Sequence, residues 1–360
     1  MSKVLLVGKG FPDRGGIPSF LDTLRNSSLT REHELRFLNV AHSSTPQGGK
    51  ATLANLGRTV RDVIAVWRGA RGQDVVHIHS ALAPTVTVLR AAVLAAAGRV
   101  RGCAVVVHAH GGNIQSWLNN GRRRLLVRLA MLPAHRVVAV WTAGEQALRH
   151  VLPAEQVRLI DNGVQIDAHV EAEAVQHPPR ILYVGLLTPR KGVLDLFEAS
   201  RMLLARRVEH ELWIVGGTPD DGPTAEAVVR AEVPAMARLL GTRAPEDMPA
   251  AYASADVFCL PSWWEAMPLT ILEAMASCLP VVATDVGDVS RAVLDGDTGF
   301  VVAPHSPQQL ATALETLLTD SDLRRRMGAA GRAHVEDGFS SDVTARKVSD
   351  LYLELGRERR

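Results

Sequence analysis

Short apolar runs recur along the chain, each closed by Gly, His, Ser or Asn and each followed by a segment long enough for a helix. In the first half they are KVLLVGKG, LRFLNV, DVVHIHS, CAVVVHAHGG, HRVVAVW and VRLIDNGV. These runs are continuous rather than alternating, so both faces of each strand are buried, as in a parallel sheet with helices on both sides. The alternation of strand and helix predicts βαβ units. After a polar, acidic, proline-containing stretch, AHVEAEAVQHPPR, the same grammar restarts with RILYVGLL, HELWIVGG, ARLLGTR, ADVFCLPS, PVVATDVG and GFVVAP. An α/β protein of two Rossmann-like domains is expected, residues 1–168 and 169–339. A terminal segment, 340–360, is helical in pattern and suits packing back on the first domain. In such sheets ligands bind beyond the carboxyl ends of the strands, which is where the polar closing residues lie.

Composition supports this picture. A chain of 360 residues, 47% apolar and 22% charged, has enough material for two cores. Its longest apolar runs, such as VLRAAVLAAAG from Val88, stop well short of the roughly 20 residues needed to span a bilayer. MSKVLLVGKG passes straight into a strand with no cleavable leader pattern, so a cytoplasmic protein is expected. Cys103, Cys259 and Cys278 are far apart in apolar surroundings and read as buried thiols, not as a disulfide framework or a zinc site. The net charge of +2 hides an asymmetry. Through residue 170 there are 21 Lys and Arg against 10 Asp and Glu, a balance of +11, and the remainder holds 19 against 28, a balance of −9. A basic half can face nucleic acid, anionic lipid or an anionic small molecule. With aromatic content at 4%, few stacking platforms exist, and nucleic acid is the least suited of the three.

Four constellations can carry chemistry. In WWEAMPLTILEAMASCLPVVAT, Pro268 suits the first turn of a helix. The amides of Met267, Leu269 and Thr270 with the positive end of the helix dipole then make a phosphate site. Glu265 and Glu273 flank it, an arrangement that fits a diphosphate with a hydroxylated group on either side, as in a nucleotide sugar. In RILYVGLLTPRKGVLDL, Arg190 and Lys191 follow a strand and turn and precede a helix, a cationic clamp for a diphosphate. In GKGFPDRGGIPSF the third glycine of a dinucleotide fingerprint is replaced by Asp13, which disfavours a nicotinamide site, while Gly15 and Gly16 let backbone approach a ligand closely. Finally, VVVHAHGGN places His108 and His110 at a strand end before Gly111 and Gly112, and VVHIHS places His77 and His79 on one face of another strand. No carboxylate or cysteine has ligand spacing with these histidines, so no metal is expected. The LDGDTG turn from Leu294 is likewise not expected to hold a cation.

These residues resemble the retaining glycosyltransferases of GT-B fold, specifically glycosyltransferase family four, over nearly the whole chain. Glu265 and Glu273 look like its E-x7-E signature, VGLLTPRKG like its phosphate-binding strand and turn, and RLIDNGVQID like its hinge entry. The resemblance implies two Rossmann-like domains facing each other across a cleft and transfer of a hexose-type sugar from a nucleoside-diphosphate sugar, UDP- or GDP-linked, to an acceptor hydroxyl on a glycan or lipid-linked precursor. It implies that no metal cofactor is required, because Arg190 and Lys191 neutralise the leaving diphosphate. Glu273 would hold the donor ribose and Glu265 the hexose, near the amides of Met267, Leu269 and Thr270, with Arg243 at the base. Gly15 and Gly16 would approach the phosphate from the first domain. His110, with Glu265, would serve the reacting centre, and His79 and His108 would lie on the acceptor side. Many members carry Arg directly after the turn glycine, where this chain has Leu186. A sugar-nucleotide epimerase or hydrolase of similar shape is the alternative enzyme class.

The basic half then gains a candidate purpose. NNGRRRLLVRLAML sets Arg122, Arg123, Arg124 and Arg128 around Leu125, Leu126, Val127 and Leu129. This reads either as an interfacial helix touching anionic headgroups at the inner face of the plasma membrane or as a solvated helix packed on its own sheet.

Overall fold

The computed structural model describes residues 1–13, 15–41, 52–111, 113–169, 178–217 and 223–359. Gly112 and most of the acidic connecting stretch, 170–177, lie outside them. Two compact units result, Met1–Gly163 with Ser341–Arg360, and Val164–Ser340.

The first unit runs β1 (Lys3–Gly8), α1 (Gly16–Arg25), α2 (Leu29–Glu32), β2 (Glu34–Asn39), α3 (Leu53–Gly69), β3 (Val75–Ser80), α4 (Thr85–Val100), β4 (Ala104–Ala109), α5 (Ile114–Trp117), α6 (Gly121–Ala130), β5 (Arg136–Ala139), α7 (Thr142–Arg149) and β6 (Val157–Leu159). The second runs β7 (Arg180–Val184), α8 (Val193–Ala205), β8 (Glu211–Val215), α9 (Pro223–Ala231), β9 (Ala237–Gly241), α10 (Met248–Ala253), β10 (Val257–Leu260), α11 (Leu269–Ala276), β11 (Val281–Thr284), α12 (Val289–Ala292), β12 (Gly299–Val302), α13 (Pro307–Thr319) and α14 (Ser321–Gly338). The final helix, α15 (Ser341–Glu358), returns to the first unit.

Each unit is built on a parallel six-stranded sheet, ordered β2-β1-β3-β4-β5-β6 in the first and β12-β11-β10-β7-β8-β9 in the second. Every strand expected from the apolar runs is present. The central strands are buried throughout, including all of β4, β5, β10 and β11, which is why their sequences do not alternate.

In the first unit, β1 and β4 pack with Phe20, Leu21 and Leu24 of α1 and with Val348, Leu351, Tyr352 and Leu355 of α15 in one core. The terminal helix therefore closes one face of this sheet. The boundaries differ from those expected at 168 and 339. Val164 forms a parallel bridge with Ser340, and its N–H donates to the Phe339 carbonyl at 2.9 Å, which ties residue 164 onward to the second unit. Among the described residues no helix is long and apolar enough to cross a membrane.

Candidate functional site

In the second unit the strand order reverses between β7 and β10, because β7 leads outward to β8 and β9 before the chain returns to β10 on the other side. The loops after these two strands, 185–192 and 261–268, therefore frame the switch point where α/β sheets bind ligands. They are tied together by the Trp263 N–H, which donates to the Arg190 carbonyl at 3.0 Å, and by Trp263 Nε1, which donates to Asp195 at 2.7 Å. Gly192, at φ 68°, lies against the Pro261 carbonyl: a Cβ there would stand 1.7 Å from the oxygen. No other residue allows the two loops to meet this closely.

Lys191 Nζ donates to Glu265 Oε1 at 2.5 Å, and Ser262 Oγ donates to the same oxygen at 2.7 Å. Both charged side chains are largely buried. Lys191, which the sequence assigns to the diphosphate, and Glu265, which it assigns to the hexose, thus meet each other, and each compensates the charge of the other in a poorly solvated place. The Arg190 guanidinium lies 5.7 Å from the Trp264 ring centroid.

Pro268 caps α11 and is not its first helical residue, having φ −74° and ψ 120°. Helix geometry provides no carbonyl for the amides of Leu269 and Thr270 in the first turn, and these donors stand at the positive end of the dipole. Farther along α11, Glu273 accepts a hydrogen bond from the buried Tyr252 hydroxyl at 2.6 Å. Burial raises the Glu273 pKa and the Tyr252 hydrogen bond opposes that rise. Arg243 is exposed, two residues past β9. Leu186 is exposed as well, while the turn it occupies is held by the Tyr183 hydroxyl donating to its carbonyl at 2.9 Å.

The first unit has its own switch point between β1 and β3. Gly15, at φ 119°, caps α1, and an added Cβ on Gly15 or Gly16 would meet nothing within 4 Å. Ile17 follows, and Pro18 has no N–H, so backbone here is open to a ligand. β3 and β4 are paired with His79 opposite His108. Their four histidines face the same side and form two hydrogen-bonded pairs, His77 Nε2 with His108 Nδ1 at 3.2 Å and His79 Nδ1 with His110 Nε2 at 3.0 Å. The pairs lie against each other, with centroids 4.3 Å apart for the tilted rings of His77 and His79 and 4.6 Å for the stacked rings of His108 and His110. Phe20 seals the array edge-on, 4.8 Å from His108 and 4.9 Å from His110, and Tyr352 binds His77 Nδ1 at 2.7 Å.

Burial lowers the pKa of all four rings, to about 3 for His77 and for His110, so the array is neutral at pH 7. His108 requires a correction. Expected on the acceptor side, it is fully buried, because strand alternation carries it to the face of His110 but one step deeper, under Phe20. His79 is also buried, and only His110 is partly exposed. Both inner residues support His110 rather than reach outward.

One ring nitrogen from each of His77, His79 and His108 lies within 4.8 Å of the others, a spacing that could admit a metal ion. The His77 and His108 rings, however, are 8° from parallel and hydrogen-bonded to each other, so those lone pairs do not converge on a common centre. His79 Nε2 and His108 Nε2 are buried without a partner.

Two family models match the chain. The model of the glycosyl transferases group 1 matches residues 165–334, and that of glycosyltransferase family 4 matches residues 10–168. The chain belongs to these glycosyltransferases.

Among curated relatives, the D-inositol 3-phosphate glycosyltransferase of Corynebacterium efficiens is 37% identical over 49% of this chain and 43% of its own length. The alpha-D-kanosaminyltransferase of Streptomyces kanamyceticus is 29% identical over 66% of this chain and 60% of its own. The chain thus spans about half the length of the curated relatives it matches. Sucrose-phosphate synthase of Thermosynechococcus elongatus superposes with a TM-score of 0.78 at 20% identity, over 99% of this chain and 100% of that one. HepE of Anabaena, solved with UDP and glucose, gives 0.79 at 18% identity, over 98% and 100%. The fold of the chain is GT-B.

Several residues at its site carry no signal in the sequence. Ser262, Tyr252 and Tyr352 act through contacts with residues 3, 21 and 275 positions away. Gly287 is another, with φ 59° and a Cβ that would fall 2.4 Å from the Glu265 carbonyl; the glycine in ATDVGD was its only trace.

Proposed function

We propose that the chain transfers a hexose-type sugar from a nucleoside-diphosphate sugar, UDP- or GDP-linked, to an acceptor hydroxyl, with retention of configuration and without a metal cofactor. The observation that carries this reading is the cradle at the second switch point: Lys191 and Ser262 on Glu265, beside the open amides of α11, with Glu273 held by Tyr252.

In the proposed reaction the diphosphate sits at the α11 N-terminus, and Glu265 and Glu273 accept hydroxyls of the hexose and the ribose. Lys191 turns from Glu265 to the phosphate, and Arg190 joins it. The sugar–phosphate bond breaks with its electron pair on the phosphate oxygen. The acceptor oxygen bonds to the same face of the anomeric carbon, and its proton passes to that phosphate oxygen. Cations and helix amides aimed at the developing charge supply most of the stabilisation. Arg243 serves the base. Gly15, Gly16 and His110 of the first unit serve phosphate and sugar, the neutral imidazole acting as a hydrogen-bond partner and not as a charge. The acceptor is a glycan or lipid-linked precursor at the inner face of an anionic membrane.

A thermal-shift panel of UDP, GDP and their sugars tests the donor class, since a ligand binding only the folded state raises its stability. NMR of the product's anomeric proton tests retention. Turnover unchanged by chelator is expected, and loss of turnover on chelation overturns the metal-free part.

A further inference from the structure

In the first unit the chain steps β2–α3–β3–α4–β4–α6–β5 in one direction across the sheet, whereas β1 to β2 steps the other way. Right-handed crossovers therefore set α3, α4 and α6 on one face, with α1 on the face closed by α15. α3 packs on α4, and α4 on α6.

The outward side of this layer is unusual. A helix lying on a sheet ordinarily buries its apolar stripe. On α3 the buried residues are Asp62, Val66 and Gly69, while Leu53 (88% exposed), Leu56 (62%), Val60 (52%), Ile64 (43%) and Trp67 (46%) recur every three or four positions on the solvent side. Leu89 and Val93 of α4, Leu125 and Leu129 of α6, and Leu132 just beyond it are exposed too.

Arginines accompany them, Arg61 and Arg68 exposed on α3 and Arg122 and Arg128 on α6. The Arg101 guanidinium covers the Trp67 ring at 4.7 Å. The other two arginines of the α6 cluster, Arg123 and Arg124, are exposed as well and donate to the carbonyls of Trp117 and Leu118 at 3.3 and 2.7 Å. The one acidic residue in the three helices, Asp62, is buried and paired with Arg90 at 2.7 Å. This face therefore has exposed leucine, tryptophan and arginine and no exposed carboxylate.

We propose that α3, α4 and α6 form a docking face for a bilayer surface rich in anionic lipid, with the α3 stripe entering the boundary between headgroups and acyl chains and the arginines meeting lipid phosphate. Charge complementarity selects this occupant. A second copy of the chain, placed across a two-fold axis, would set arginine against arginine. The proposal deepens the membrane part of the proposed function and does not depend on glycosyl transfer.

Flotation of the full chain with vesicles of phosphatidylcholine alone, and with phosphatidylglycerol added, tests it. Binding is expected only with the anionic lipid, weakening as salt rises. Ile64→Glu should lower vesicle partition tenfold or more, the scale of burying one large aliphatic side chain. Arg61→Glu should lower it several-fold. Neither should change thermal stability in buffer or nucleotide-sugar binding. Absence of flotation overturns the docking face, as does flotation indifferent to both variants. So does concentration-dependent self-association abolished by Ile64→Glu, which would assign the stripe to a second copy. Failure of nucleotide-sugar binding with flotation intact would instead remove the transferase reading and leave the docking face standing.

Discussion

The two units share a frame and differ in how they keep polar groups in poorly solvated places. Each has a parallel six-stranded sheet and gathers its polar side chains around the point where strand order reverses. At the second switch point Glu265 and Lys191 form a largely buried ion pair, each compensating the other. In the first unit four imidazoles stay neutral, because burial lowers their pKa far below 7. Desolvation acts against charge in both, and it is answered by pairing in one and by deprotonation in the other. The units should therefore fail under different insults, the first on acidification and the second on loss of one partner.

The largest effect concerns pH. Unfolded imidazoles take up protons below about pH 6.5, whereas folded His77 and His110 do so only near 3. The unfolded state binds more protons within that window, so stability falls as pH drops through it. Each ring contributes about 1.4 kcal/mol per pH unit, and four together up to about 5 kcal/mol per pH unit. Amide exchange measured between pH 7 and 4.5 should show β3 and β4 losing protection before β7 and β10. His79→Asn with His110→Asn should shrink that pH dependence by about half. Identical acid profiles for the two units would end the contrast.

Next comes Lys191→Met. Removing the cation should lower turnover by about 10²- to 10³-fold, the usual loss when one stabiliser of developing charge is deleted. It also leaves Glu265 buried beside Ser262 without its cation, at about 3–5 kcal/mol in stability. Adding Glu265→Gln should restore stability in urea unfolding but not turnover. If Lys191→Met alone is as stable as the parent, the pair is not a structural unit.

How much of this contrast could be read from the sequence follows from the range of the interactions. Strands such as VVVHA and VVAT were legible because burial on both faces leaves continuous apolar runs. Glu265, Lys191 and Glu273 were legible as site residues because loop and helix-start chemistry is local. The pairing of Lys191 with Glu265 was not, since it joins residues 74 positions apart through the order of strands. The depth of His108 was equally hidden: alternation gave its face, but only Phe20 and the hydrogen bond to His77 decide that it is buried. The α3 stripe has helical spacing in the sequence, yet spacing alone does not say which side meets the sheet.

Two glycines sharpen the comparison at a smaller scale. Gly192→Ala meets both an unfavourable φ of 68° and the Pro261 carbonyl, whereas Gly15→Ala meets a φ of 119° in open space. The φ strain alone amounts to about 1–3 kcal/mol. Gly192→Ala should exceed that and pull the two loops of the second site apart, lowering nucleotide affinity. Gly15→Ala should stay within it. Equal losses in thermal unfolding would mean that the contact between the 185–192 and 261–268 loops adds no rigidity.

The smallest change is Tyr252→Phe, which removes one hydroxyl from Glu273 and about 1 kcal/mol of stability. Its consequence for pH is more informative than its size. Burial raises the Glu273 pKa, and the tyrosine hydrogen bond holds it down by favouring the carboxylate. Without that bond the pKa rises further, so the ionised form that accepts ligand hydroxyls is lost at a higher pH. Nucleotide-sugar affinity, titrated from pH 8 downward, should therefore begin to fall earlier in Tyr252→Phe than in the parent. Nucleotide-sugar binding in the second unit would then depend on acid through that carboxylate, while stability in the first depends on acid through an array of imidazoles. An acid limb that stays in place in the variant would mean that Glu273 binds ligand without needing its charge.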